Sequence, residues 1–230
     1  RTLNMAQGCI LLVDAQEGVM PQTKAVLKRG LELKLKPIVL INKIDKKLAN
    51  VKAAIDEVQN LFLDLATTDD QLDFPILYAI GREGKVFLEL PEGDLTVANS
   101  TTGDITPLLD TILEYIPEDD AIEEGPFQMQ VNAMEYDPHN GRYLIGSIHR
   151  GSLKVNDSVA LVVDDSEKAQ IVRGKIKRLL VREGLGWEDI TTAHAGEIVA
   201  IAGIDSKAIG GTLCDPSKIE AMPALKISPP

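Results

Sequence analysis

A chain of 230 residues, 44% hydrophobic but only 4% aromatic, is long enough for two ordinary domains, each with its own core. A formal net charge of −11 argues against a protein that coats nucleic acid indiscriminately, because sequence-independent affinity for phosphate chains comes from Lys and Arg releasing counterions; any RNA contact should be local. The longest apolar stretches, Cys9 to Val13 and Pro37 to Ile41, fall far short of the roughly 20 residues that cross a bilayer. No basic leader opens the chain, and Cys9 and Cys214 are too far apart, in unrelated contexts, for a disulfide framework or a zinc site. A soluble protein of the reducing cytoplasm, with no membrane partner, is expected.

Cys9 to Asp14 is a continuous apolar run closed by a polar residue, the pattern of a strand buried on both faces of a parallel sheet. Pro21 suits a helix start, and Ala25, Val26, Leu27, Leu31, Leu33 and Leu35 recur on a rough helical period until Pro37 halts it. Pro37 to Asn42 repeats the buried-strand signal. Val51 to Leu65 carries an amphipathic stripe of Val51, Ala54, Ile55, Val58, Leu61, Phe62 and Leu65. Pro75 to Ala79 gives a third strand, and Ile105 to Tyr115 a closing helix with Leu108, Leu109, Ile112 and Leu113 on one side. Strand and helix alternating in this way predict right-handed βαβ units and a partial doubly wound α/β domain over residues 1–116.

Residues 117–126 are dense in Asp, Glu, Pro and Gly, and read as a linker. Residues 127–216 carry short strands with no long helix between them: Phe127 to Met134, Tyr143 to Arg150, Ser158 to Val163, Gly174 to Leu180 and Ile198 to Ala202. Turn signals at His139-Asn140-Gly141, Val155-Asn156-Asp157 and Ala195-Gly196-Glu197 separate them, so a small antiparallel β-barrel is expected. The tail, residues 217–230, turns Pro-rich and reads as the start of a connection to a further domain.

The sharpest chemical signal is Asn42-Lys43-Ile44-Asp45 at the carboxyl end of a buried strand, where open α/β sheets bind ligands. Guanine presents N1–H and an exocyclic amine side by side. A carboxylate at Asp45 can accept both, and adenine offers no such pair; facing an unmatched edge, the carboxylate would be desolvated without return. Asn42 can bridge neighbouring loops and the base, while the stem of Lys43 lies along the ring. The tetrapeptide alone is also compatible with a solvated loop.

The surrounding residues resemble a translational GTPase, and within that class the BipA/TypA group of ribosome-associated factors. Those that carry the resemblance are Arg1 to Ala6, Leu11 to Ala15 with Glu17-Gly18, Met20 to Thr23, Pro37 to Val39 with Ile41 to Asp45, and Asp70-Gln71-Leu72-Asp73-Phe74-Pro75. In the second half they are Ile145-Gly146, Arg150-Gly151, Gly196 to Gly203, Ile209-Gly210 and Thr212 to Asp215. The resemblance implies a P-loop GTPase-like domain followed by a translation-factor barrel, with GTP or GDP as ligand and the ribosome, its RNA and proteins, as partner of a monomer. It also places Ile80 and Gly81 where the family normally has a Ser-Ala pair whose backbone N–H groups receive the guanine carbonyl oxygen; the Ser hydroxyl is lost here.

No Gly-x-x-x-x-Gly-Lys-Ser/Thr occurs among these residues, and Gly81-Arg82-Glu83-Gly84-Lys85 has the wrong spacing and no hydroxyl for magnesium. The Asp-x-x-Gly segment and the His that positions the attacking water are missing as well. Phosphoryl transfer rests on positioning and charge neutralisation, so no catalytic residue is assigned. The expectation is a fragment unable to hydrolyse GTP, with Mg2+ bound only in the intact parent and Arg1 to Met5 ending the helix after the second switch. Its alternative is a non-enzymatic module that binds the ribosome or RNA.

In the barrel, Arg173, Lys175 and Lys177 alternate, which on one strand puts them on one face: either an ordinary solvated face or a local basic strip for ribosomal RNA or protein. His139, His149 and His194 have no mutual ligand spacing. Trp187 reads as a loop residue, a core plug or an exposed contact, and Asp164-Asp165 as solvated charge.

Overall fold

A computed structural model describes residues 2–97, 101–118, 120–137, 141–163, 170–206 and 209–223. Residues 6–118 form one compact unit; the residues that follow, joined by the opening turn Thr2–Met5, form another. The turn at His139-Asn140, the pair Asp164-Asp165 and most of the Pro-rich tail lie outside the described residues.

The first unit runs β1 (Gly8–Asp14), α1 (Pro21–Glu32), β2 (Lys36–Asn42), α2 (Val51–Leu65), β3 (Ile76–Ile80), β4 (Lys85–Phe87) and α3 (Thr106–Tyr115). Its sheet has the order β1-β2-β3-β4, with β1, β2 and β3 parallel and β4 antiparallel. On one face Leu11, Val13, Val39 and Ile41 pack against Leu27 and Leu31 of α1 and Val58 and Phe62 of α2. On the other, Ile38, Leu40, Leu77 and Ala79 pack against Leu108 of α3. Asn50 caps α2, its side chain accepting from the Ala53 N–H at 3.1 Å. The first helix stops at Glu32, short of Leu33 and Leu35, because Lys34 takes a left-handed φ of 60° and turns the chain back into β2.

The expectation that β1 is buried on both faces is corrected. Leu11 and Val13 are buried, but Ile10 and Leu12 are 45% and 58% exposed. β1 is the edge strand, and α3 covers the neighbouring β2 and β3 instead.

The second unit is all β: β5 (Gln128–Asp137), β6 (Gly141–Arg150), β7 (Ser152–Lys154), β8 (Ser158–Val163), β9 (Gln170–Lys175), β10 (Arg178–Glu183), β11 (Gly186–Ile190), β12 (Thr192–His194), β13 (Ile198–Ala202) and β14 (Thr212–Cys214). Eight strands form one antiparallel sheet, ordered β11-β10-β13-β6-β5-β14-β8-β9, and β7 pairs with β12. Both halves of that sheet and the small ladder feed one core, in which Met129, Leu144, Leu153, Leu161, Leu179, Ala193, Ile201 and Leu213 meet, as in a barrel. Strands β5 and β6 approach so closely at Gly146 that an added Cβ would lie 1.8 Å from the Gln130 carbonyl oxygen.

Two expectations change here. The strand anticipated from Gly174 to Leu180 is the end of β9, a break, and the start of β10. At the break Ile176 drops fully into the core, while the Ile176 and Lys177 N–H groups donate to Asp157 and Ala202. Trp187 is on β11, opposite Arg182, rather than in a loop. The opening residues Thr2–Met5 form a short 3-10 helix, and Met5 packs on Ile145, Leu180 and Ala200 of the second unit. The linker is partly tied down: Ile122 donates to the His149 carbonyl and accepts from Gly151.

Among the described residues no helix is long and apolar enough to cross a membrane. Cys9 and Cys214 are free, and burial pushes both thiols upward in pKa, away from the reactive thiolate.

Candidate functional site

Asp14, Asn42 and Ala79 stand in register at the carboxyl ends of three parallel strands, so the loops after them converge. Asn42 joins these loops. Its carbonyl accepts from Ala15 N–H at 2.8 Å, and its side-chain Oδ1 accepts from Lys43 N–H at 2.8 Å and Gly81 N–H at 2.9 Å. A Cβ on Gly81 would come within 3.0 Å of Asn42 Oδ1, so the glycine permits this close approach.

Past Asn42 the chain makes a left-handed step at Lys43, φ 62°, unusual for a residue with a side chain. Lys43 Nζ pairs with Asp14 Oδ2 at 2.5 Å, which draws the long stem across the strand ends. Asp14 also accepts from Gln16 N–H at 2.8 Å. Burial works to raise the Asp14 pKa, but hydrogen bonds from Lys43 and from Gln16 and Glu17 outweigh it and hold the carboxyl below its ordinary range; the same pairing raises Lys43.

Ile44 is buried and anchors the turn, which brings Asp45 inward: its side chain is 3% exposed. Arg82 Nη2 lies 3.2 Å from Asp45 Oδ2, yet outside hydrogen-bond alignment, so that oxygen is buried without a hydrogen bond. A buried acceptor left open in this way suits a ligand bearing N–H donors. Ile80 makes no side-chain cap but is buried in the core beside α1 and α2, so packing holds the loop.

The structure thus brings Asn42, Lys43, Asp45, Ile80 and Gly81 together. It does not do so for the three barrel cations. Arg173 and Lys175 are exposed on β9, whereas Lys177 lies beyond the break, lining a cavity of about 580 Å³ with Tyr136, Arg142 and Arg178. Arg142 pairs with Asp205 at 2.8 Å, and Arg178 holds Asp189 through Nε and Nη2 at 2.9 and 2.6 Å. Trp187 covers the outer face of the sheet: its ring lies 5.2 Å from the Arg182 guanidinium, and its Nε1 donates to Glu135 at 3.2 Å. Sequence reasoning missed Asp14 and Arg82 at the site. Asp14 was legible as the polar end of its strand, but its pairing with Lys43 depends on sheet register.

Residues 1–118 match the family described as Elongation factor Tu GTP binding domain. The chain belongs to that family. Residues 141–214 match Elongation factor Tu domain 2, the β-barrel that follows a GTP-binding domain of this kind. Among curated relatives of this elongation-factor-Tu-type chain, a Large ribosomal subunit assembly factor BipA of Synechocystis sp. is 40% identical over 230 residues, covering 100% of this chain and 37% of that protein. Proteins of the same name from Salmonella typhimurium and Escherichia coli strain K12 are 38% identical over 230 residues, covering 100% of this chain and 36% of theirs. The chain therefore spans little more than a third of the length of these relatives, and the resemblance to the BipA/TypA group extends over all of it.

Proposed function

We propose that this chain is the base-recognising and ribosome-docking portion of a translational GTPase acting in large ribosomal subunit assembly, as its relatives are named. The first unit would hold GTP or GDP by the guanine ring: Asp45 accepts N1–H and the exocyclic amine, the Ile80–Gly81 turn, whose Gly81 N–H donates to Asn42 Oδ1 in this structure, faces the carbonyl oxygen, and Lys43 covers the ring. One observation carries this reading. A buried carboxylate with an oxygen lacking a hydrogen bond sits on a turn that Asn42 fixes to two neighbouring loops. These residues fit a guanine; they offer nothing for its phosphates, since the Gly-rich loop and its Lys-Ser/Thr are not among them. Hydrolysis of GTP, and the Mg2+ it needs, belong to a longer protein that supplies those parts, and this chain by itself is a binding portion, cytoplasmic and monomeric.

The test is a nucleotide competition on the longer protein. Asp45→Asn is expected to exchange preference for GTP for preference for the xanthosine nucleotide, because the amide donates where the carboxylate accepted. Retained preference for GTP would remove Asp45 from the site.

A further inference from the structure

We infer that Arg82 is a placeholder for the base: its guanidinium occupies the seat at Asp45 that guanine takes, and nucleotide entry requires it to leave. The inference rests on the guanine reading of Asp45 and goes a step further, assigning a residue that sets how readily the seat is filled.

The chemistry of the two occupants is shared. The N1–C2–amine edge of guanine is a planar guanidine unit with adjacent N–H donors, and the Arg guanidinium is planar with its N–H donors in a fork. Asp45 is 3% exposed at its side chain and faces Arg82 at 3.2 Å, whereas Arg82 is 52% exposed, so the carboxylate lies at the bottom and the guanidinium forms its lid. A carboxylate that deep without a cation beside it would carry an uncompensated charge; Arg82 neutralises it while the seat is empty. The contact is made to be given up. Asp45 Oδ2 receives no aligned hydrogen bond from Arg82, and Arg82 Nη2 has a second carboxylate, Glu83 Oε1, at 3.6 Å on the same short turn, Gly81–Glu83. When a base delivers its two donors to Asp45, Arg82 keeps a partner in Glu83 and stays in solvent contact.

The experiment titrates guanosine, which needs no phosphate site, into the 230-residue chain, with binding read by saturation-transfer NMR. Arg82→Ala is expected to tighten guanosine binding about fivefold, equivalent to ~1 kcal/mol; Arg82→Lys, a cation without the fork, should fall between Arg82→Ala and the native chain. Asp45→Asn should abolish binding in both the native and the Arg82→Ala backgrounds. If Arg82→Ala leaves affinity unchanged or weakens it while Asp45→Asn still abolishes binding, the placeholder is overturned and the base site stands. If guanosine binds none of the folded variants, or binds Arg82→Ala as well with Asp45→Asn as without, the guanine reading falls and takes the placeholder with it.

Discussion

At the scale of the residue, the Asp14–Lys43 pair gives the loop a defined pH window. Asp14 is held below its ordinary 3.8 by hydrogen bonds that outweigh its burial, so its contribution is present above 3.8 and lost as the pH falls through the depressed folded value. Lys43 is raised above its ordinary 10.5, chiefly by the hydrogen bond to Asp14, so its contribution is complete below 10.5 and lost as the pH rises through the folded value. The Lys43 and Gln16 amide resonances should therefore be flat across neutral pH and move together only at the two extremes. An Asp14 carboxyl titrating at or above 3.8 by NMR would mean that the pair does not form in solution. Lys43 was legible as part of a motif; that its charge is spent on Asp14, leaving the stem as the part available to a base, was not, because the partner comes from the strand beside it.

At the scale of the element, β1 separates what hydropathy says from what packing does. Its run of apolar residues reads as buried on both faces, yet an edge strand is covered only where a helix lies over it. Leu11, under α1 and α2, should cost about 3 kcal/mol when cut to Ala, while Leu12→Ala should stay within about 0.5 kcal/mol, both by urea denaturation. Equal costs would put Leu12 back in the core. In the barrel, the break at Ile176 divides what period-2 alternation treats as one strip. If the basic strip is the ribosome contact, Arg173→Glu with Lys175→Glu weakens co-sedimentation of the longer protein with ribosomes more than Lys177→Glu alone, since only the first two share an exposed strand face. No loss from the double change would leave that face as ordinary solvated surface.

Over the whole molecule, two cores of different kinds follow one another: an α/β unit whose strand ends carry Asn42 to Asp45, and an antiparallel unit closed around Met129, Leu161 and Leu213. Without a phosphate-binding loop among these residues, calorimetry of this chain with GTP and Mg2+ should detect no affinity tighter than about 1 mM; micromolar binding would require a phosphate site of another construction. Much of this organisation was in the sequence itself. The alternation of apolar runs and 3.6-period stripes determined the α/β unit, turn residues at short spacing determined the barrel, and Asn42 to Asp45 marked the strand end, because these signals are local and each segment carries its own. What only the tertiary structure decided depends on segments distant in the chain: the Asp14–Lys43 pair needs sheet register, the exposure of Leu12 needs the position of α3, the break at Ile176 needs a core to fill, and Arg82 reaches Asp45 only because β2 and β3 end side by side. No local pattern records which distant groups share a few ångströms of space; packing alone creates that adjacency.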